Sequence, residues 1–151
     1  LKGIKLLRAH KGNIAELCRI ATPDISVVTI VGKAHLETFG SVENIAETKG
    51  EILQGLRNGG TAVLNSDDKR VMNMPLREDV SVIKAGLQTG IFELSEIGYD
   101  HKPTCFQVST PEGETAGIRT RLLGEHSVQN LLFGLAVGRH FGLRLSTMAL
   151  A

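Results

Sequence analysis

The fold of this chain is organised around one apolar stretch, Val27-Val-Thr-Ile-Val-Gly32. The run is rich in Val and Ile and too short for a typical helix, so it predicts a buried strand of a parallel sheet. A loop that contains His35 and Glu37 follows it. Gly40-Ser41 then predicts the start of a helix, because a serine hydroxyl accepts hydrogen bonds from the free N–H groups of a first turn.

The helix predicted after Ser41 carries a lysine at an unusual position. At about 3.6 residues per turn its apolar residues form a stripe roughly 120° wide, as in a helix that faces a core. The stripe consists of Val42, Ile45, Ala46, Ile52, Leu53 and Leu56. Lys49 lies near the middle of this stripe. A lysine placed there extends its amine to solvent, is paired, loses its proton or is chemically modified. The pattern leaves two interpretations open: a snorkelling lysine, or a functional lysine that faces the loop with His35.

Length and composition restrict the class of protein. The 151 residues suffice for one domain with a core, and 42% apolar and 22% charged residues are usual for a globular protein. The formal net charge is +1 without a dense basic block, which argues against a nucleic-acid-binding surface. No apolar run approaches the ~18 residues of a membrane span, and we expect a cytoplasmic protein. Cys18 and Cys105 lack Cys-x-x-Cys spacing, so we expect both to be small buried residues.

Short apolar strands alternate with helices in the first half of the chain. A helix is predicted over residues 12–21, and strands are predicted from Ile25, over 61–65 and, as a further buried strand, over 80–84. Helices that lie between apolar strands predict βαβ units with right-handed crossovers. We therefore expect a doubly wound, mostly parallel sheet with helices on both faces.

The second half predicts a small antiparallel sheet and a buried helix. Apolar and polar residues alternate on both sides of Thr110-Pro-Glu-Gly113, which fits a type I turn, so this region predicts a hairpin. Residues 91–98 are expected to add a third strand. A helix is predicted from Gly124 to about Phe141, with apolar residues on two sides. The predicted fold class is α/β, in a single domain over residues 1–151.

A resemblance to the central, P-loop-type domain of the Mur ligases lies in Ala34-His-Leu-Glu-Thr-Phe-Gly-Ser41, followed by Lys49-Gly-Glu-Ile52. The residues of the first motif are similar to those of the branch that adds D-alanyl-D-alanine to a UDP-muramoyl tripeptide. The resemblance covers residues 13 to 151. It implies the small second sheet as well as the doubly wound one.

The resemblance implies a magnesium site at His35 and Lys49. In this family a His at the end of a strand is a ligand of Mg²⁺, and a Lys 14 residues later serves the same ion as a carbamate, a spacing that His35 and Lys49 match. A buried lysine has a lowered pKa, and only the neutral amine captures CO2. The product offers anionic oxygens, which suit Mg²⁺. Glu37 is either a carboxylate behind the ligands or a solvated loop charge.

The resemblance also implies an ATP site. Gly124-Glu-His-Ser-Val-Gln-Asn130 is similar to the family's Gly-x-His-Asn-x-x-Asn, at a helix start near the adenine. His126 and Asn130 match this motif, whereas Ser127 replaces its first Asn and would otherwise be a helix cap. Asn130 is the better nucleotide contact, because an amide can both donate and accept at an adenine edge. Asn65-Ser-Asp-Asp68 is similar to the family's Asn-Ala-Asp-Asp, and we expect it to end a strand and cap a helix.

Two departures from the family pattern shape the expected function. The Gly-rich phosphate loop ending in Gly-Lys-Thr/Ser does not occur in these residues, and residues 4–10 hold no carboxylate where the family has an acidic metal-binding residue. We therefore expect a fragment of the central domain, without the phosphate-loop segment and the C-terminal domain, that is inactive alone.

The resemblance implies that the full enzyme is an ATP-dependent ligase of peptidoglycan precursor synthesis. ATP phosphorylates the terminal carboxylate of the UDP-muramoyl peptide, and the amine of D-Ala-D-Ala attacks the acyl phosphate. The partners are these small molecules with Mg²⁺, and neither nucleic acid nor membrane insertion is expected. One alternative, favoured by Ser127 and the absent carboxylate, is a ligase-derived domain that only folds or interacts. Another is a different Mur ligase or a folylpolyglutamate synthase, against which Phe39-Gly-Ser41 argues.

Overall fold

The computed structural model describes residues 10–32, 36–98 and 103–150. A parallel sheet has the strand order β1-β2-β3, and an antiparallel sheet has the order β4-β5-β6. The strands are β1 (Ile25–Val28), β2 (Thr61–Asn65), β3 (Ser81–Ala85), β4 (Glu93–Gly98), β5 (Thr104–Ser109) and β6 (Thr115–Thr120). The helices are α1 (Asn13–Ile20), α2 (Leu36–Phe39), α3 (Val42–Gln54), α4 (Lys69–Met72), α5 (Glu125–His140) and α6 (Leu145–Met148). The predicted α/β fold with two sheets is confirmed.

The parallel sheet is built around β2, which is buried along its whole length. Its side chains alternate between two faces, as in any strand. Ala62 and Leu64 belong to the apolar cluster that contains Leu53 of α3, whereas Val63 belongs to the cluster that contains Leu132 of α5. The sheet therefore has α3 on one face and α5 on the other, as a doubly wound fold requires.

Two strands that were predicted to be buried are partly exposed. The apolar run 27–32 forms a strand only as far as Val28, and Val27 and Ile30 are 38% and 47% exposed. Val82 of β3 is 40% exposed. The reason is position in the sheet, because among the described strands only β2 has a parallel neighbour on each side. The prediction that these strands are buried is therefore wrong for Val27, Ile30 and Val82, although their parallel pairing is correct.

Helix α3 begins where the sequence predicts. The Ser41 hydroxyl accepts a hydrogen bond from the Asn44 N–H at 3.1 Å, the usual bond of an N-cap serine. Ile45, Leu53 and Leu56 are buried against the parallel sheet, at 3%, 0% and 3% exposure. Because Ile45 and Leu53 fix one face of α3 on the sheet, they also fix the direction of the other side chains of the helix.

Helix α5 joins the two sheets. Its buried residues lie in one apolar cluster with Phe106 and Val108 of the antiparallel sheet and with Val63 of the parallel sheet. The predicted hairpin is present, and its turn is closed by a 2.9 Å hydrogen bond from the Gly113 N–H to the Thr110 carbonyl. Within the described residues, no helix is both long and apolar enough to cross a membrane.

The prediction of two buried cysteines is half wrong. Cys18 on α1 is buried, but Cys105 on β5 is exposed. The pattern of β5 explains the difference, because Thr104, Phe106 and Val108 are buried and the residues between them turn to the other face.

Candidate functional site

The amine of Lys49 lies at the carboxyl end of β1. Its Nζ donates a hydrogen bond to the carbonyl of Ile30, two residues beyond the strand, at 2.5 Å. The side chain is half-buried, and with Val27, Val28, Thr29 and residues of α1 and α3 it lines a cavity of about 180 Å³. The carboxyl ends of parallel strands are where α/β sheets bind ligands. Lys49 is thus neither enclosed in the core nor free in solvent.

The second predicted metal ligand, His35, lies outside the described residues, so its pairing with Lys49 stays a prediction. Glu37 is exposed in the first turn of α2. It has no described contact with Lys49, and its assignment to the site also stays a prediction.

The turn after β2 lies at the same edge of the sheet and holds the chain that follows β1. The Asn65 amide donates to the Thr29 carbonyl at 2.6 Å, and its oxygen accepts from the Asp67 N–H at 2.9 Å. One carboxylate oxygen of Asp68 accepts from the Val31 N–H at 2.8 Å. The predicted structural role of this turn is therefore supported by contacts that cross from β2 to the tail of β1.

The same turn caps α4 and orders the loop after β3. The other oxygen of Asp68 accepts from the Arg70 and Val71 N–H groups, which is the expected helix cap. The Asp67 carboxylate accepts from the N–H groups of residues 87–89, the shortest at 2.5 Å from Leu87. A Cβ at Gly86 would lie 2.7 Å from this carboxylate, so the approach requires glycine.

The magnesium site stays a prediction, because only Lys49 of its two predicted ligands lies among the described residues. Both turn carboxylates already accept backbone N–H groups, and the described part of the chain contains no group of three or more His, Cys, Asp and Glu side chains that could hold a metal ion. A carbamate on the half-buried Lys49 amine would supply the anionic oxygens that Mg²⁺ requires. The sequence singled out Lys49 as a candidate and predicted the helix cap by Asp68. It did not predict the hydrogen bond from Val31 to Asp68, because its only signal is a polar residue after a strand.

The predicted adenine contacts lie together at the start of α5. His126 and Asn130 are exposed and are four residues apart, so they share one face of the helix. The expected cap role of Ser127 is wrong: the N-cap is Gly124, and the Ser127 hydroxyl instead donates to the Leu123 carbonyl at 2.8 Å. His126 and Asn130 are thus free to face a ligand, whereas Ser127 is engaged with its own chain.

The family model described as Mur ligase middle domain matches residues 8–138. The chain belongs to the Mur ligase family. The chain is 34% identical over 149 residues to the UDP-N-acetylmuramoyl-tripeptide–D-alanyl-D-alanine ligase of Mycobacterium tuberculosis, a match that covers 98% of the chain and 29% of the relative.

Solved Mur ligases share the fold. MurF from Acinetobacter baumannii superposes with a TM-score of 0.82 at 27% identity, over 93% of the chain and 31% of that protein. MurF from Thermotoga maritima in complex with ADP gives 0.80 at 26% identity, over 94% and 33%. The chain thus spans about three tenths of the length of these relatives. The Mur ligase match includes Lys49, the turn 65–68 and the start of α5.

Proposed function

We propose that this chain is part of the middle domain of a ligase that adds D-Ala-D-Ala to a UDP-muramoyl tripeptide. ATP would phosphorylate the peptide carboxylate, and the dipeptide amine would displace phosphate from the acyl phosphate. The observation that carries the proposal is the 34% identity, over 98% of the chain, to a relative named for this reaction. Since that match covers 29% of the relative, the activity is proposed for the longer parent protein, and the 151-residue chain is expected not to turn over alone.

Lys49, as a carbamate, and His35 would hold Mg²⁺ at the carboxyl end of β1. Phosphoryl transfer depends on charge neutralisation and alignment more than on covalent help from the protein. The bound ion would neutralise negative charge on the γ-phosphate and on the acyl oxygens. Helix α3 positions Lys49 for this role, because it packs on the sheet through Leu53 and carries the amine to the strand end, where it contacts Ile30.

His126 and Asn130 would hold the adenine of ATP. Both are exposed on one face of α5, which is anchored by Leu132 and other fully buried residues. An amide at residue 130 can donate to and accept from an adenine edge. The complex of a related MurF with ADP supports a nucleotide site in this fold. We place the reaction in the cytoplasm, where ATP is available.

The proposal is tested by ligation with the full-length parent. The protein is incubated with ATP and Mg²⁺, either with a UDP-muramoyl tripeptide and D-Ala-D-Ala or, as matched controls, with a UDP-muramoyl dipeptide and single amino acids including L-lysine and diaminopimelate. Mass spectrometry should show the pentapeptide product with D-Ala-D-Ala only. A product with a single amino acid on a shorter precursor would instead assign the chain to another Mur ligase.

The metal part has a separate test. Calorimetry in bicarbonate buffer compares Mg²⁺ binding by this chain and by its Lys49→Ala variant. Saturable binding that the variant loses is the expected result. Equal binding by the two chains would remove Lys49 from the metal site.

A ligase-derived domain without catalysis is the second candidate. The observation that favours it is Ser127, whose hydroxyl is bound to Leu123 in the place of the family's asparagine. A parent that binds ATP but forms no product with any amine would support this candidate and contradict ligation.

A further inference from the structure

Three successive residues beyond β1 are held by side chains from other elements. The Thr29 carbonyl accepts from Asn65 at 2.6 Å, the Ile30 carbonyl accepts from Lys49 at 2.5 Å, and the Val31 N–H donates to Asp68 at 2.8 Å. We name residues 29–31 the β1 tail. No strand partner supplies these bonds, because β1 pairs with β2 only over residues 25–28.

The two side chains of the β2 turn are themselves fixed. Asn65 is 2% exposed, at the end of the fully buried β2, and its amide oxygen is held by the Asp67 N–H. Its NH2 group must therefore face Thr29. Asp68 uses one oxygen for the cap of α4 and the other for Val31. The turn is thus a rigid reference to which the β1 tail is attached.

Lys49 has more rotatable bonds than the other two side chains that hold the β1 tail. Its amine stands at the end of a flexible four-carbon chain, and its bond to Ile30 can hold it only if that carbonyl stays in place. The carbonyl is flanked directly by the two groups that Asn65 and Asp68 bind.

We propose that Asn65 and Asp68 are positioning residues for the Lys49 amine. They hold the β1 tail so that the Ile30 carbonyl keeps the amine at the carboxyl edge of the sheet. The benefit for ligation rests on the proposed function, but the positioning itself is a property of this chain.

The first test measures the reactivity of Lys49 in the chain itself. Each lysine is acetylated under limiting reagent and quantified by mass spectrometry, with the exposed Lys84 as internal reference. Asp68→Ser keeps an oxygen for the helix cap but has none left for Val31. The Lys49 rate relative to Lys84 should rise roughly two- to tenfold, the factor expected for the loss of one net hydrogen bond.

Asp67→Asn is the matched control, because Asp67 lies in the same turn and binds the 87–89 loop rather than the β1 tail. It should leave the Lys49 ratio unchanged. If Asp68→Ser fails to fold, as judged by circular dichroism, Asp68→Asn keeps the side-chain volume and takes its place. An unchanged Lys49 ratio in a folded Asp68 variant, or an equal rise in Asp67→Asn, would overturn the proposal.

The second test uses the full-length parent. Asp68→Ser should lower kcat roughly ten- to a hundredfold, as is typical for residues that support a metal ligand, while KM for ATP stays within about twofold. Asp67→Asn should keep kcat. Full kcat in Asp68→Ser would contradict a role in ligation. A wild-type parent without turnover would instead refute the proposed function, and Lys49 acetylation would still decide the positioning.

Discussion

Substitution of Gly55 by alanine should separate α1 from α3. A Cβ at this residue would lie 2.4 Å from the Cβ and 2.6 Å from the Sγ of Cys18. The Cβ of Cys18 is fixed to the backbone of α1, so the helix itself must move. Gly55 has a φ of −83°, which alanine adopts without strain, and the whole cost therefore comes from the contact. Overpacking of this kind costs about 1–3 kcal/mol.

Gly138→Ala is the matched control. Its Cβ would lie 2.1 Å from the Sδ of Met148, near the end of a flexible side chain that can turn away. Alanine also has a higher helix propensity than glycine, by about 1 kcal/mol within a helix. The free energy of unfolding of this variant should therefore fall by less than about 1 kcal/mol or even rise.

Urea unfolding and thermal unfolding of the 151-residue chain, both followed by circular dichroism, measure the free energy of unfolding and the Tm of the two variants. The loss expected for Gly55→Ala corresponds to a Tm lower by roughly 2–4 °C for each kcal/mol. If Gly55→Ala is as stable as the wild type, or loses no more than Gly138→Ala, the close packing of α1 on α3 is wrong.

Three further predictions concern single groups. Hydrogen bonds from Arg77, and then the Gly59 N–H, lower the pKa of Asp79 from 3.8 to about 2. The ionised Asp79 therefore stabilises the fold above pH ~4. In urea unfolding, the stability advantage of the wild type over Asp79→Asn should disappear as the pH falls to about 2. A stability difference that does not depend on pH would contradict this electrostatic contribution. Burial raises the pKa of the Cys18 thiol, and the charge of Glu51 raises it further. A maleimide should therefore label the exposed Cys105 before the buried Cys18. Equal labelling rates would contradict the burial of Cys18. The buried Ser26 hydroxyl has no hydrogen-bond partner among the described residues. In urea unfolding, Ser26→Ala should therefore leave the free energy of unfolding unchanged or raise it by up to about 1 kcal/mol. A clear loss of stability would show that the hydroxyl is bound.

The sequence predicts strands better than their places in the sheet. The runs 61–65 and 80–84 have the same apolar character, yet β2 is buried throughout and β3 is largely exposed. Residue type cannot distinguish them, because burial depends on which strands and helices lie alongside. The alternation that predicts the hairpin does carry more information, and applied to Cys105 it would have placed this residue on the exposed face.

The residues proposed for the site follow from the sequence, whereas the contacts of Lys49 do not. The helical wheel correctly sets Lys49 apart from a solvated surface lysine. Its partner, the Ile30 carbonyl, depends on where the chain runs after β1, and no periodicity encodes that path. The same holds for Asp68, whose helix cap follows from local pattern, while its bond to Val31 joins residues 37 positions apart.

The role of Lys49 in ligation is decided by comparing the wild-type full-length parent with its Lys49→Ala variant. ATP-dependent phosphate release is measured with the UDP-muramoyl tripeptide and D-Ala-D-Ala together and with each omitted. The wild type should release phosphate only when both are present. Lys49→Ala should lose more than about a hundredfold in rate, since a metal-holding group contributes several kcal/mol to charge stabilisation. Release by Lys49→Ala at the wild-type rate would show that Lys49 holds no group needed for the reaction.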